Sequence, residues 1–138
     1  MAAQRAPIIW LLALAAILAS GCSNNGTERF GLSGTVSIEG EPIKFGWMVF
    51  SPEKGPGATA NIEEGNFATP EDFGTIGGMH TIELVAFDGI AIPDPTAEGG
   101  MNTQGKLVLS HKFKKDIPKE TTTLDINITK EDLKKSRQ

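Results

Sequence analysis

Two histidines, a single cysteine and one acidic loop hold most of the side chains in this 138-residue chain that could do chemistry. His80 stands three places before Glu83, a spacing that in other settings supplies two zinc ligands. The residues around it alternate as a strand, however, and positions three apart on a strand project from opposite faces. The two side chains cannot share one ion, so no metal is expected there. His80 and His111, the only histidines, could serve a hydrolase as general base if a second titratable group lay within about 3 Å in a cleft. No serine sits in a G-x-S-x-G elbow, and neither glycine pair leads into a helix with a following Lys-Ser or Lys-Thr. No catalytic residue and no cofactor are therefore expected.

Two further clusters have the chemistry of recognition. Asp88, Asp94 and Glu98, among Gly and Pro neighbours, are candidate hard-oxygen ligands for Ca²⁺, although their spacing is not that of an EF-hand loop. Set against this is a solvated acidic loop. Ile90 and Ile92 lie on the same loop with Met101, and together with Trp47 they form a candidate ligand surface, since a flat aromatic can contact a sugar or a partner protein.

Cys22 decides where the chain works. Before it come Arg5 and then the apolar run Ile8 to Leu18, about 11 residues. A helix needs roughly 20 residues to cross a bilayer core of about 30 Å. The run therefore directs export but does not span, and Ala19, Ser20 and Gly21 supply the small residues of a cut site. Leu18-Ala19-Ser20-Gly21-Cys22 resembles a bacterial lipobox, with Ala19 where Leu is commonest. The resemblance implies a diacylglyceryl group on the Cys22 thiol, cleavage just before it and acylation of the new amine, commonly with palmitate. Several acyl chains at roughly 0.8 kcal/mol per buried CH₂ make a durable anchor. The expected organisation is a lipoprotein signal peptide over 1–21, a flexible tether over 22–29, a domain over 30–129 and a charged tail over 130–138. The tether reaches only about 25 Å when extended, which keeps the domain close to the membrane.

Composition fits a small exported domain. Without the leader, 12 basic residues face 17 acidic ones, and no basic stripe interleaved with aromatics points to nucleic acid. Membrane attachment must come from the lipid rather than from charge. One cysteine makes no internal disulfide, and about 100 residues suffice for one hydrophobic core.

The domain is written in alternating apolar and polar residues, the period of a strand. Leu32 to Ile38 alternates cleanly, and Ile43 to Phe50 alternates except at Phe45-Gly46-Trp47, where a bulge near Gly46 is expected. Ala58 to Ile62 and Asn66 to Thr69 are short strands joined by a hairpin at Glu63-Glu64-Gly65. His80 to Phe87 carries apolar residues on both faces, which suggests a central strand. Asp88 to Gly105 is a long irregular stretch, and such loops tend to be functional or mobile. Lys106 to Phe113 and Thr121 to Thr129 follow as strands. The tail from Lys130 reads as disordered, a short frayed helix at most.

Seven short strands, Gly and Pro turns and no convincing helix predict an all-β fold, a single seven-stranded Greek-key β-sandwich. Leu32 to Ile38 followed by Gly40 to Ile43, then Met48 to Pro52, Glu64 to Phe67 and Gly77 to Leu84 resembles the carboxypeptidase-regulatory-like, or transthyretin-like, domains of small lipoproteins from planctomycete-type bacteria. The resemblance implies a sandwich and no fixed activity. A relative of that fold that hydrolyses 5-hydroxyisourate uses a Tyr-Arg-Gly-Ser terminus, and this chain has no tyrosine. The expected role is thus a lipid-anchored, non-catalytic domain of the cell envelope, facing the periplasm or the exterior. It would bind or assemble with envelope proteins or polysaccharide. A carbohydrate- or Ca²⁺-dependent adhesion module is the alternative, and a hydrolase with a histidine base the third reading.

Overall fold

The computed structural model describes residues 26–135. The signal segment, the lipidation candidate Cys22 and tether residues 23–25 lie outside them, as do residues 136–138. Among the described residues no helix is long and apolar enough to cross a membrane.

Among the described residues the strands are β1 (Leu32–Ile38), β2 (Glu41–Pro42), β3 (Phe45–Pro52), β4 (Ala58–Glu63), β5 (Asn66–Ala68), β6 (Gly78–Phe87), β7 (Ile92–Pro93), β8 (Met101–Asn102), β9 (Leu107–Ile117) and β10 (Thr122–Ile128), followed by the α-helix α1 (Lys130–Lys135). Seven of the strands form one hydrogen-bonded path, β10-β1-β5-β4-β3-β6-β9, with β2 added against β1. These seven are the seven read from the sequence. The sheet curls on itself around the core, an all-β sandwich in which every pairing on the path is antiparallel except the parallel pair β1 and β10.

Alternation fills the interior. His80, Ile82, Leu84 and Ala86 of β6 are buried while Thr81, Glu83, Val85 and Phe87 are half-buried on the other face. On β3 the buried set is Gly46, Met48 and Phe50. With Ile62, Phe67, Leu32, Val36, Ile126 and Ile128 they make one core, in which the rings of Phe50 and Phe67 lie 6.3 Å apart. Burial of this apolar surface is the main stabilising term in a domain without a disulfide.

Gly46 does not bulge. Its register runs unbroken, opposite Ile62 on β4 and Ala86 on β6, so glycine simply takes one inward place in the alternation. A Cβ there would drive into the Val85 carbonyl oxygen, which explains the residue type without a kink. The irregularity sits one strand away, between Ala86 and Phe87 where β6 meets β9. The β4–β5 hairpin forms as expected: Glu64 and Gly65 both take positive φ, 48° and 80°, as a tight two-residue hairpin turn requires.

Two segments are more ordered than their sequences suggest. The stretch from Asp88 to Gly105 folds into its own two-stranded hairpin, β7 against β8, with a 3-10 turn at Glu98–Gly100. The tail becomes α1 because Thr129 and Asp132 cap each other: the Thr129 amide and hydroxyl donate to Asp132 Oδ2 at 3.0 and 2.7 Å, and the Asp132 amide donates back to Thr129 Oγ1 at 3.3 Å. That reciprocal arrangement satisfies donors a helix start leaves open, and Leu133 packs against the core. At the other end, Arg29 of the expected tether donates to the carbonyls of Gly57 and Gly74 and lies over the Phe73 ring. The last tether residue is thereby part of the domain.

Candidate functional site

β9 and β10 are the two ends of the hydrogen-bonded path. Consecutive in sequence, they diverge from the Pro118 to Thr121 turn to opposite ends of the curled sheet, where among the described residues β9 pairs only with β6 and β10 only with β1. Between them lies a groove of about 520 Å³, lined by His111 to Lys115 on one side and Asp125 to Ile128 on the other, with Asp132 and Lys135 of α1 at its end. Its walls are therefore strand edges with unpaired main-chain groups, which is where a sheet can accept another chain.

Register determines what reaches the groove. Leu84, Ile82 and His80 point inward, and their partners across β9 are His111, Phe113 and Lys115, which share that face. His111 is 6% exposed and stacks on Phe113 with ring centres 5.6 Å apart. On β10, Ile126 and Ile128 are buried and form apolar floor. Lys112 and Lys114 occupy the outward positions of β9, where Lys112 pairs with Glu83 at 3.3 Å.

The acids at the groove are already engaged. Asp125 Oδ1 accepts from the Thr35 hydroxyl at 2.8 Å. The hydroxyl of Thr129, then its amide, hold the Asp132 carboxyl below the usual carboxylate range, and Lys135 and His111 add a smaller attraction. Lys114, Lys115 and Lys135 make no ion pair among the described residues. The charge is segregated along the chain: residues 106–138 hold nine of the 13 basic residues and only five of the 17 acidic ones.

The residues singled out from sequence fall elsewhere. His80 is fully buried, with Nδ1 2.8 Å from the Gly78 carbonyl. A carbonyl only accepts, so Nδ1 carries a proton, and Nε2 is buried without a hydrogen-bond partner. Glu83 meets Lys112 on the outer face, so the H-x-x-E pair is split as alternation demands. Neither histidine is joined to a carboxylate by an ion pair or to any side chain by a hydrogen bond, among the described residues.

Asp88 and Asp94 serve the hairpin, and Glu98 does not join them. Asp88 Oδ1 accepts from the amides of Ile90 and Lys106 at 2.9 and 3.0 Å, closing the base of the loop. Asp94 Oδ1 accepts from the Thr96 hydroxyl at 2.6 Å and from its amide at 2.9 Å, bonds that lower its carboxyl below the usual range. Glu98 is exposed on the 3-10 turn. Among the described residues no three His, Cys, Asp or Glu side chains are grouped to hold a metal ion.

Trp47 lies half-buried on the outer face of β3, its ring 5.2 Å from that of Phe87 and tilted by 38°. Ile92 is half-buried in β7, while Ile90 is 65% exposed. Sequence reasoning missed the groove itself. The run of lysines after Gly105 was its one visible signal, since lysine is a common residue on exposed sheet edges. Comparison of the chain with protein families, curated proteins and solved structures returns no match.

Proposed function

We propose that this chain is a lipid-anchored domain of the cell envelope, held to a membrane through Cys22, whose β-sandwich binds or assembles with envelope neighbours and performs no catalysis. The observation that carries this reading is the groove between β9 and β10: two open strand edges over an apolar floor, rimmed by Lys114, Lys115 and Lys135, which make no ion pair among the described residues. Such a seam offers main-chain hydrogen bonds and charge, the elements of recognition. A hydrolase would need a positioned acid–base pair, and the two histidines are instead tied to a carbonyl and to an aromatic ring. The lipobox-like Leu18 to Cys22 and the short tether support a position of that seam near a membrane surface. The resemblance to carboxypeptidase-regulatory-like domains of small lipoproteins supports the same role.

A photocrosslinker at Lys115 in the groove, compared with one at Lys54 in the loop after β3, tests the binding half of this reading in intact cells. A discrete adduct from Lys115 alone is expected, and equal labelling from both positions, or none, would overturn it. Intact mass of the membrane-extracted protein beside a Cys22→Ser variant tests the anchor. The mature chain should begin at Cys22 with a diacylglyceryl mass that the variant lacks. A carbohydrate-binding reading is favoured by one observation, the half-exposed Trp47–Phe87 pair on the outer face. It predicts that Trp47→Ala abolishes retention on an immobilised polysaccharide while the Lys115 adduct persists.

A further inference from the structure

We propose that the β9–β10 groove accepts an extended, acidic segment of a partner polypeptide, which adds to the open edge of β9 as a new strand. This rests on the binding reading above and names the class of partner. The sheet curls until its ends face each other but does not close, so β9 and β10 each keep one edge of main-chain donors and acceptors unpaired. An added strand satisfies those groups with no change in the existing pairings. The lining covers five residues on β9 and four on β10, roughly 13 to 17 Å at about 3.3 Å per residue. A segment of four or five residues fits that length.

The side chains specify the occupant further. Successive residues of an added strand point alternately to the two faces of the sheet. On the inner face they meet Phe113, Ile126 and Ile128, which select apolar residues; on the outer face they lie beside Lys114, which selects an acidic one, and beside Lys112, which already pairs with Glu83. Lys115, at the inner register position opposite His80, and Lys135 of α1 add positive charge at the rim. Asp125 and Asp132 keep their charges, because Thr35 and Thr129 are neutral partners, but Lys114, Lys115 and Lys135, without an ion pair among the described residues, outnumber them.

A second copy of this chain is the obvious competitor for an open edge. Pairing β9 with β9, however, sets lysines of one copy against lysines of the other, and like charges on paired strands are destabilising. Lysine on an edge commonly serves to prevent self-association. Here the same lysines favour a strand of opposite charge.

The test uses the full-length protein in detergent and a fluorescein-labelled decapeptide of alternating Glu and Val. Two controls accompany it: alternating Lys and Val, and a block peptide of five Glu followed by five Val with the same charge. The alternating Glu-Val peptide should bind and slow amide exchange at Lys112 to Lys115. A K114E/K115E variant should weaken binding by about tenfold or more and prefer the Lys-Val peptide. Lys54→Glu, far along the chain in an exposed loop, should change nothing. If the block peptide binds equally well and exchange at β9 does not slow, the attraction is ionic only and the added strand is wrong. Slowed exchange confined to other strands, or concentration-dependent dimerisation through β9, would also overturn it. A Lys115 adduct in cells without Glu-Val binding would leave the binding role standing and remove the acidic strand.

Discussion

β6 and β9 are neighbours, paired over ten register positions, yet they have opposite characters. β6 has a strand on each side, β3 and β9, and its inward residues from His80 to Ala86 are all buried. β9 has a partner on one side only. Its inward residues run from half-buried Leu109 through buried His111 and half-buried Phe113 to exposed Lys115 before Ile117 is buried again. Alternation in sequence therefore gives full burial only where neighbours cover both flanks. On an edge, the same alternation yields a partly open seam that can hold apolar floor and charged rim at once.

The contrast can be broken by truncation. Leu84→Ala, at a side chain with no exposed surface, should cost about 2–5 kcal/mol by the usual price of a core cavity. Leu109→Ala on β9 should cost only about 1 kcal/mol, in line with partial burial. Urea unfolding of both variants decides the matter, and equal losses would mean that β9 is as enclosed as β6. Gly46→Ala comes next. The added methyl meets the Val85 carbonyl oxygen between two paired strands, and a loss of about 1–3 kcal/mol is expected from overpacking. A wild-type midpoint would show that β3 and β6 separate more easily there than their register implies.

The edge should respond in the other way. K114E/K115E should leave the unfolding free energy within about 0.5 kcal/mol, as exposed substitutions do, while changing binding at the groove. Thermal unfolding beside peptide titration separates the two effects. A large stability loss would show that these lysines support the fold.

The smallest expected effect lies at the end of the seam. Asp132 has its carboxyl lowered from the ordinary carboxylate value, first by the Thr129 hydroxyl. A carboxyl depressed in the folded state contributes stability that is fully present above the ordinary carboxylate range and is lost as pH falls through the lowered value. α1 should therefore stay capped at neutral pH and fray only in acid, as pH falls below the ordinary carboxylate range. Carboxyl NMR titration of Asp132 against Leu133 amide exchange reads this directly. Asp132→Ala should lower the protection of that amide at neutral pH and abolish its further loss in acid.

Much of the fold was legible in the residues. Leu32 to Ile38 and His80 to Phe87 announce themselves by period two, and Glu64-Gly65 by its turn chemistry. Of the candidate site little could be read. Lys112, Lys114 and Lys115 look like the solvated side of any strand until β9 is known to be an edge. Asp88 and Asp94 look like metal ligands until each is seen accepting amides of its own turn. The tail reads as disordered because only Leu133 is apolar, and the mutual capping of Thr129 and Asp132 is a contact of single side chains that no periodicity announces.

The sequence by itself determined where the strands are and which way most side chains face, because both follow from alternation between residues two apart. It also carried the leader-like segment and Cys22, whose meaning is chemical rather than conformational. Tertiary structure alone decided that Gly46 packs inward, that β1 pairs in parallel with β10, and that β9 and β10 face each other without pairing. Those features depend on which distant segments become neighbours, and local periodicity is the same for a strand at the centre of a sheet and for one at its open edge.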